Sequence, residues 1–244
     1  MTRAKPLRIG LVVPSSNTMV EQELPKLLPR NGSATLHFAR LGVTHISGSV
    51  KSNAQFEMDR MVETAVSLAD AQPDVIVWAG TAASWLGFAR DEVLARRITK
   101  ATGVPATTSL LALNEALETL KVRRIGLVTP YIAKLENDII ANYAAAGIEV
   151  ASAERLDLTV NTDYAKVPPS RVARMCRAVA KAKPDAIVIM CTNLAGAPVA
   201  GETGKSLGIP ILDSVATTLT RAFAVARQGR LRAHRPRTAT DSSC

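Results

Sequence analysis

The sequence predicts an α/β fold of two pseudo-symmetric Rossmann-like lobes, each with a central parallel sheet flanked by helices. An internal duplication is the first reason, because three short motifs return in the same order in the second half of the chain. They are Arg-Ile-Gly-Leu-Val at 8–12 and 124–128, Pro-Asp before an apolar run at 73–77 and 184–188, and Gly-Val-Pro or Gly-Ile-Pro at 103–105 and 208–210. The second reason is a composition of 47% apolar but only 4% aromatic residues, typical of helix-covered sheets. The cleft between two such lobes is where we expect an active site.

The predicted strands are short and almost wholly apolar, as parallel strands buried on both faces are. The first of them stops at Pro14, and the hydroxyl and amide side chains that follow it can cap a helix. The strands cover 8–13, 36–41, 75–78, 125–128, 148–151, 186–190 and 211–212.

The segments between the strands carry apolar residues at helical spacing, as in Phe56, Met58, Met61 and Val62. The predicted helices cover 19–24, 56–69, 91–98, 110–120, 133–146, 169–182, 199–207 and 215–227. The last helix follows the final predicted strand, and no third lobe comes after it. We therefore expect this helix to pack on the first lobe. This order gives a first lobe of 1–112 plus 214–228 and a second lobe of 113–213.

The C-terminal segment 229–244 is rich in arginine and lacks apolar periodicity, so we expect a basic, disordered tail. This tail carries a large part of the net charge of +9, so the rest of the chain is only mildly basic. We interpret the tail as solvated and expect no nucleic-acid partner. The mild positive excess over the rest of the chain suits a small anionic substrate.

Composition also limits the compartment and the cofactors. No apolar run approaches the roughly 20 residues that span a bilayer, and the N-terminus does not have the pattern of a signal peptide. We therefore expect a cytoplasmic protein with no membrane partner. Its three cysteines and three histidines lack the spacing of a disulfide framework or a metal site. No glycine-rich dinucleotide or phosphate loop is present, so we expect no cofactor. Association into a homo-oligomer stays open.

Polar residues follow the predicted strands at their carboxyl ends, where ligands bind in folds of this class. The first lobe has Trp-Ala-Gly-Thr at 78–81 where the second has Ile-Met-Cys-Thr at 189–192, so Cys191 is the candidate catalytic residue. Backbone N–H groups and a following helix would favour its thiolate. The candidate substrate-binding residues are Ser15, Ser16, Asn17, Gly80, Thr81, Ala82, Tyr131, Asn161, Thr192 and Asn193.

Each candidate has a plainer interpretation. A free cysteine such as Cys191 is commonly a small buried apolar residue. The polar residues 15–17 can be a helix cap, and Gly80 can serve a tight turn instead of a close approach of substrate to the backbone. Tyr131 can be a packing residue, and Trp85 and Phe88 suggest a lining role.

These motifs resemble the aspartate/glutamate racemase superfamily. The resemblance rests on Val-Pro-Ser-Ser-Asn at 13–17, Thr-Pro-Tyr at 129–131 and Cys-Thr-Asn at 191–193, and it covers about 8–228. Within the superfamily the chain is most similar to the maleate cis-trans isomerase and arylmalonate decarboxylase branch. Racemases of this kind have one cysteine in each lobe, and in the isomerases the first-lobe cysteine attacks the double bond. That first-lobe position is Gly80 here, as in the decarboxylases.

The resemblance implies a cofactor-independent, decarboxylase-like lyase that acts on a small mono- or dicarboxylic acid. Thr81, Tyr131 and backbone N–H groups would hold an enediolate, and Cys191 would reprotonate it from one side. The serines and asparagine at 15–17 and the Asn161-Thr162 pair look like the isomerases instead. A maleate isomerase or an amino-acid or hydantoin-type racemase is therefore the alternative enzyme. A carboxylate-binding protein without catalysis is the alternative of another class.

Overall fold

The computed structural model describes residues 5–233, and two parallel four-stranded sheets form its centre. The first sheet has the order β2-β1-β3-β4 and the second the order β6-β5-β7-β8, so the two lobes share one topology. The strands are β1 (Leu7–Pro14), β2 (Ala34–Leu41), β3 (Val75–Trp78), β4 (Ala106–Thr108), β5 (Arg124–Thr129), β6 (Glu149–Arg155), β7 (Ala186–Ile189) and β8 (Ile211–Asp213). The predicted fold class is confirmed.

Helices cover both faces of each sheet. They are α1 (Met19–Leu27), α2 (Val50–Asn53), α3 (Met58–Ala69), α4 (Ala83–Leu86), α5 (Ala89–Thr102), α6 (Ser109–Thr119), α7 (Ala133–Ala145), α8 (Asn161–Tyr164), α9 (Pro169–Ala180), α10 (Ala197–Leu207) and α11 (Ser214–Ala233), with a 3-10 turn at Ala54–Phe56. The short helices α2, α4 and α8 and the short strand β4 were not predicted. Each is too brief to show a hydrophobic period, and β4 contains two threonines instead of an apolar run.

The buried residues form two cores. The larger one joins the facing sides of both lobes, from Val12 and Trp78 in the first to Leu127 and Cys191 in the second. The smaller one lies on the outer side of the first sheet, beneath α1 and α11. Because one core crosses the interface, the lobes pack against each other through apolar side chains as well as polar ones. Among the described residues, no helix combines the length and the apolar character that a membrane crossing demands.

The final helix α11 packs on α6, α1 and β3 and so lies against the first lobe. It continues through Ala233, so the predicted start of a disordered tail at residue 229 is wrong. The Arg230 guanidinium explains the extra turn: it donates to both carboxylate oxygens of Asp74 at 2.7 Å and to the carbonyls of Lys5 and Pro6. Charge pairing therefore extends the helix after its apolar period has stopped. The rest of the predicted tail, 234–244, lies outside the described residues.

Candidate active site

Gly80 and Cys191 occupy equivalent places in the two lobes, just past the carboxyl ends of β3 and β7. In the first lobe the Ala79 N–H donates to the carbonyl of Val12 at 2.8 Å, and in the second the Met190 N–H donates to the carbonyl of Val128 at 2.9 Å. The next residue in each lobe enters the cleft. The duplication therefore places a thiol on one side of the interface and a bare glycine on the other.

A small cavity of about 20 Å³ lies between these two points. Its wall contains nine of the residues predicted for the site: Asn17, Gly80, Thr81, Ala82, Tyr131, Asn161, Cys191, Thr192 and Asn193. Pro14, Ile46, Phe56, Trp78 and Trp85 complete it. A volume of this size holds about one water molecule. The structure therefore has the closed form of the site, and a carboxylic acid can enter only when the walls move apart.

The Cys191 thiol is buried in this wall, with 3% of the residue exposed. Its Sγ accepts from the Asn193 N–H at 3.3 Å and interacts with the hydroxyl of Tyr131, which in turn lies 3.0 Å from the Thr81 hydroxyl. Burial raises the pKa of Cys191 to about 11, although these donors act in the opposite direction. The local donors favour the thiolate, as expected, but loss of solvent outweighs them and the net pKa is raised.

Tyr131 lies between the two lobes' reactive positions and is itself buried. Burial, followed by the nearby Cys191 sulfur, raises the pKa of Tyr131 well above its ordinary value. Its phenol consequently stays a neutral hydrogen-bond donor. Edge-on contacts with Trp85 and Tyr164, at centroid distances of 5.0 and 5.8 Å, fix the ring. The packing interpretation of Tyr131 is thus confirmed, and donation from its phenol to an anion stays a prediction.

Gly80 is required by space and not by backbone conformation. It does not adopt the left-handed conformation that favours glycine. A Cβ at this position would lie 2.4 and 2.6 Å from two carbons of the Trp78 indole, far inside van der Waals contact. The indole thus fills the space into which a first-lobe counterpart of the Cys191 side chain would extend. The wall opposite the thiol is aromatic.

A polar network ties the lobes together around the cavity. The Thr192 hydroxyl donates to the carbonyl of Ala79 at 3.0 Å and accepts from Asn17 Nδ2 at 3.0 Å. The Asn193 Oδ1 accepts from the N–H groups of Thr18 and Met19, the first ones of α1. A second-lobe side chain thus caps a first-lobe helix. Such buried amide contacts set the relative position of the lobes as long as they stay formed.

The network continues outward from Asn193 through Asn161 to Ser16. The Asn193 Nδ2 donates to the Asn161 carbonyl at 2.6 Å, and the Asn161 Nδ2 donates to the Ser16 hydroxyl at 2.7 Å. Ser15 and Ser16 themselves do not reach the cavity wall, since both hydroxyls contact the backbone carbonyl of Val43. The predicted cap is confirmed for Asn17, whose Oδ1 accepts from the first N–H groups of α1, while its Nδ2 donates to Thr192 in the other lobe.

Sequence reasoning missed the cover of the cavity, which comes from the first lobe. The segment before α2 crosses to the second lobe, where the Ile46 N–H donates to the Thr159 carbonyl at 2.8 Å and the Asn161 N–H donates to the Thr44 carbonyl at 3.0 Å. Ile46 and Phe56 thereby close the wall. The only sequence signal of Ile46 is apolar character in an otherwise polar loop, and Phe56 was predicted as the first residue of a helix. Trp85 lines the cavity as expected, whereas Phe88 packs on Tyr143 at 5.0 Å.

Within residues 5–233, no three His, Cys, Asp or Glu side chains come together in an arrangement that could hold a metal ion. The second cysteine of this part of the chain, Cys176, is buried in α9 and does not line the cavity. Cys191 is therefore the single thiol that the described residues place in the site.

Comparisons with known proteins agree with this architecture. Residues 9–235 match the family model described as arylmalonate decarboxylase. A maleate isomerase of Nocardia farcinica is 31% identical over 242 residues, which cover 92% of this chain and 94% of the relative. An arylmalonate decarboxylase of Bordetella bronchiseptica is 27% identical over 218 residues, or 88% of each chain. A solved structure of N. farcinica maleate cis-trans isomerase, a cysteine-to-serine mutant with a covalently bound succinylcysteine intermediate, has a TM-score of 0.80 at 27% identity and covers 92% of this chain and 99% of its own.

Proposed function

Because the chain belongs to the maleate isomerase and arylmalonate decarboxylase branch of the aspartate/glutamate racemase superfamily, we propose that it decarboxylates a small 2-substituted dicarboxylic acid, with Cys191 as the proton donor. The family makes the chain an enzyme, either a lyase or an isomerase. The choice between these reactions, and the roles of individual residues, are our proposal.

One observation carries it: the cavity has a single thiol, and the equivalent place in the other lobe has a glycine covered by an indole. Racemisation by two facing acid/base groups requires a second group that can carry a proton on the far side of the substrate. Neither Gly80 nor the carbon framework of Trp78 can do so. Delivery of a proton from one side only suits decarboxylation, in which a carboxyl group leaves and one proton replaces it.

The proposed reaction proceeds in two steps. The bond between the central carbon and one carboxylate breaks, carbon dioxide departs, and the electron pair of that bond moves into the remaining carboxylate to give an enediolate. The thiol of Cys191 then transfers its proton to the carbon, and the resulting thiolate takes a proton from solvent. The apolar side chains of Ile46 and Phe56 in the wall favour the first step, because a buried carboxylate is costly and carbon dioxide is neutral.

Neutral donors in the cavity wall can receive the enediolate. The hydroxyls of Thr81 and Tyr131 lie 3.0 Å apart, and Thr81 directly follows Gly80. Fixed donors in a site that excludes water stabilise a developing oxyanion by several kcal/mol. In the closed form the Thr192 hydroxyl is already engaged with Ala79 and Asn17, so it positions the lobes and is less available to substrate.

The state of the thiol also supports a role as an acid. With a pKa of about 11, Cys191 is protonated at neutral pH, and a protonated thiol is what the second step needs. A high pKa therefore does not by itself favour a binding protein without catalysis. An enediolate carbon is a much stronger base than a thiolate, so the transfer is downhill even from a weakly acidic thiol.

Maleate cis-trans isomerisation is the second candidate, favoured by the 31% identity to a maleate isomerase along nearly the whole chain. In that reaction a sulfur would add to the double bond, as the covalently bound succinylcysteine intermediate of the N. farcinica isomerase suggests for that protein. Here Cys191 would have to act as the nucleophile. A thiolate is the reactive form for addition, and a buried thiol with a pKa of about 11 supplies little of it at neutral pH.

A single assay distinguishes these candidates. The enzyme is incubated in deuterium oxide with a 2-methyl- or 2-phenyl-substituted malonate carrying carbon-13 in both carboxyl groups, and separately with maleate. NMR records carbon dioxide, fumarate and deuterium at the central carbon. We expect release of carbon dioxide and one enantiomer of a singly deuterated acid. The Cys176→Ala variant is the matched control, because its sulfur lies in α9 away from the cavity and its loss should leave the turnover unchanged.

Formation of fumarate from maleate without release of carbon dioxide from any malonate would overturn the decarboxylase proposal in favour of isomerisation. Exchange of deuterium into a chiral monocarboxylic acid with loss of its optical purity would favour a racemase. Saturable binding of these acids with no turnover would favour a carboxylate-binding protein.

A further inference from the structure

Two buried indole N–H groups in the cavity wall have no hydrogen-bond partner. They belong to Trp78 and Trp85, which are 1% and 8% exposed, and both residues line the cavity. The other polar side chains of this wall, such as those of Asn17, Thr81 and Tyr131, are hydrogen-bonded. The unpartnered donors of this wall are therefore those of the two tryptophans.

Leaving two buried indole N–H groups without an acceptor is energetically costly. A buried donor left without an acceptor loses about 1–3 kcal/mol, and buried polar groups in proteins are overwhelmingly paired. Because both residues line one small cavity, an acceptor that arrives with the ligand explains the two unpaired donors best. An indole donates but cannot accept, so the ligand group must be an acceptor.

The position of the Trp78 donor indicates where that acceptor lies. Its Nε1 is 3.0 Å from the point that a Cβ on Gly80 would take, so this donor lies beside the glycine. Trp85 packs edge-on against Tyr131 at 5.0 Å, next to the hydroxyl that contacts Thr81. Phe56 contacts both indoles edge-on, at 6.3 and 5.8 Å, and fixes their rings.

We propose that Trp78 and Trp85 bind a substrate carboxylate in the cavity beside Gly80 through their indole N–H groups. Neutral donors suit this site, because a hydrogen bond from each indole offsets part of the cost of burying the carboxylate. The inference rests on the proposed function in one respect, which is that the ligand is a small carboxylic acid. It does not depend on the reaction that follows binding.

The test uses the indole signals of the whole protein. The chain has only two tryptophans, so its proton–nitrogen spectrum contains two indole signals, which Trp78→Phe and Trp85→Phe assign. The probes are malonate, succinate and maleate, with succinamide as the uncharged control. We expect both indole proton signals to move downfield on addition of a dicarboxylate and to stay in place with succinamide. A second preparation replaces both tryptophans with benzothienylalanine, which keeps the ring shape and has no N–H. It should bind the best dicarboxylate at least about tenfold more weakly, as expected for loss of hydrogen bonds to a charged group.

Indole signals that do not move when calorimetry shows saturation by a dicarboxylate would overturn this inference, and so would unchanged affinity of the benzothienylalanine protein. Failure of all three dicarboxylates to bind would overturn it as well. The two proposals fail separately. Moving indole signals without release of carbon dioxide would refute only the reaction, whereas turnover with unmoved indole signals would refute only the indole contacts.

Discussion

Substitution of Gly80 by alanine is expected to destabilise the protein, although alanine is ordinarily the more stabilising of the two residues. The new Cβ would lie 2.4 Å from an indole carbon of Trp78, whereas carbon atoms prefer separations of about 3.5–4.0 Å. The indole cannot yield easily, since Trp78 is fully buried and packs edge-on against Phe56 at 6.3 Å. Overpacking of this kind costs about 1–3 kcal/mol.

Thermal unfolding measures this effect. For a chain of this length, 1 kcal/mol corresponds to about 2–4 °C, so we expect Tm to fall by roughly 2–12 °C. Gly201→Ala is the matched control, because Gly201 lies in the exposed part of α10 and a Cβ there meets no heavy atom within 4 Å. That variant should keep its Tm or gain up to about 1 kcal/mol from helix propensity.

A double-mutant cycle isolates the contact. Trp78→Ala alone should cost about 3–5 kcal/mol through the cavity it leaves. In that background Gly80→Ala should cost almost nothing, which gives a coupling of about 1–3 kcal/mol between the two positions. A Gly80→Ala protein as stable as the wild type, or two effects that simply add, would refute the placement of the indole over Gly80.

Three other groups give measurable outcomes. Alkylation of Cys191 by iodoacetamide at pH 8, followed by peptide mass spectrometry, should be about a hundredfold slower than for a thiol with the ordinary pKa of 9.0, because a pKa of about 11 leaves roughly one thiolate in a thousand. Asp91→Asn should alter the pH dependence of urea unfolding. Burial raises the pKa of Asp91 to about 7, against 3.8 for an exposed carboxyl group, so the folded protein retains a proton that the unfolded chain releases. The stability of the wild type relative to this variant should therefore fall as the pH rises from about 4 to about 7, by up to about 1.4 kcal/mol per pH unit. Arg230→Ala should lower Tm by about 2–4 °C, since it removes the partner of Asp74 at the end of α11.

Each of these outcomes has a control in the chain. Cys176 should react more slowly still, because burial raises its pKa to about 12, and rapid alkylation of the cavity thiol at pH 8 would contradict the assigned pKa. Glu92→Gln makes the same carboxyl-to-amide change at the exposed neighbouring residue and serves as the control for Asp91→Asn. A difference in stability between the wild type and Asp91→Asn that stays constant from about pH 4 to about pH 7 would contradict the raised pKa of Asp91. Arg232→Ala should leave Tm unchanged, since Arg232 is exposed on the last turn. An equal effect of both arginine variants would argue against a stabilising ion pair between Arg230 and Asp74.

The sequence predicted the architecture well because the duplication itself encodes it. The motif around Gly80 and its repeat around Cys191 were enough to identify equivalent positions, and the strands that carry them are long enough to show an apolar run. The structure places nine predicted residues in one wall for the same reason, since the carboxyl ends of parallel strands converge.

Properties that depend on long-range packing were not predictable. The Trp78 indole folds over a residue two positions along the chain, and nothing in the local sequence gives its direction. The pKa of Cys191 depends on how completely both lobes exclude water, whereas the sequence displayed only the local donors that lower it. Arg230 meets Asp74 across most of the chain, so a segment with no apolar period turned out to be helical through Ala233.

The central claim is that the lone thiol of the cavity delivers the proton, and the rate of product formation by Cys191→Ala tests it most directly. Tryptophan emission, which comes entirely from the two cavity residues, verifies that the variant still binds the acid. With binding intact, turnover should fall by about two to four orders of magnitude, the usual contribution of a positioned acid. Turnover of Cys191→Ala within about threefold of the wild type, a change far smaller than that contribution, would contradict the assignment.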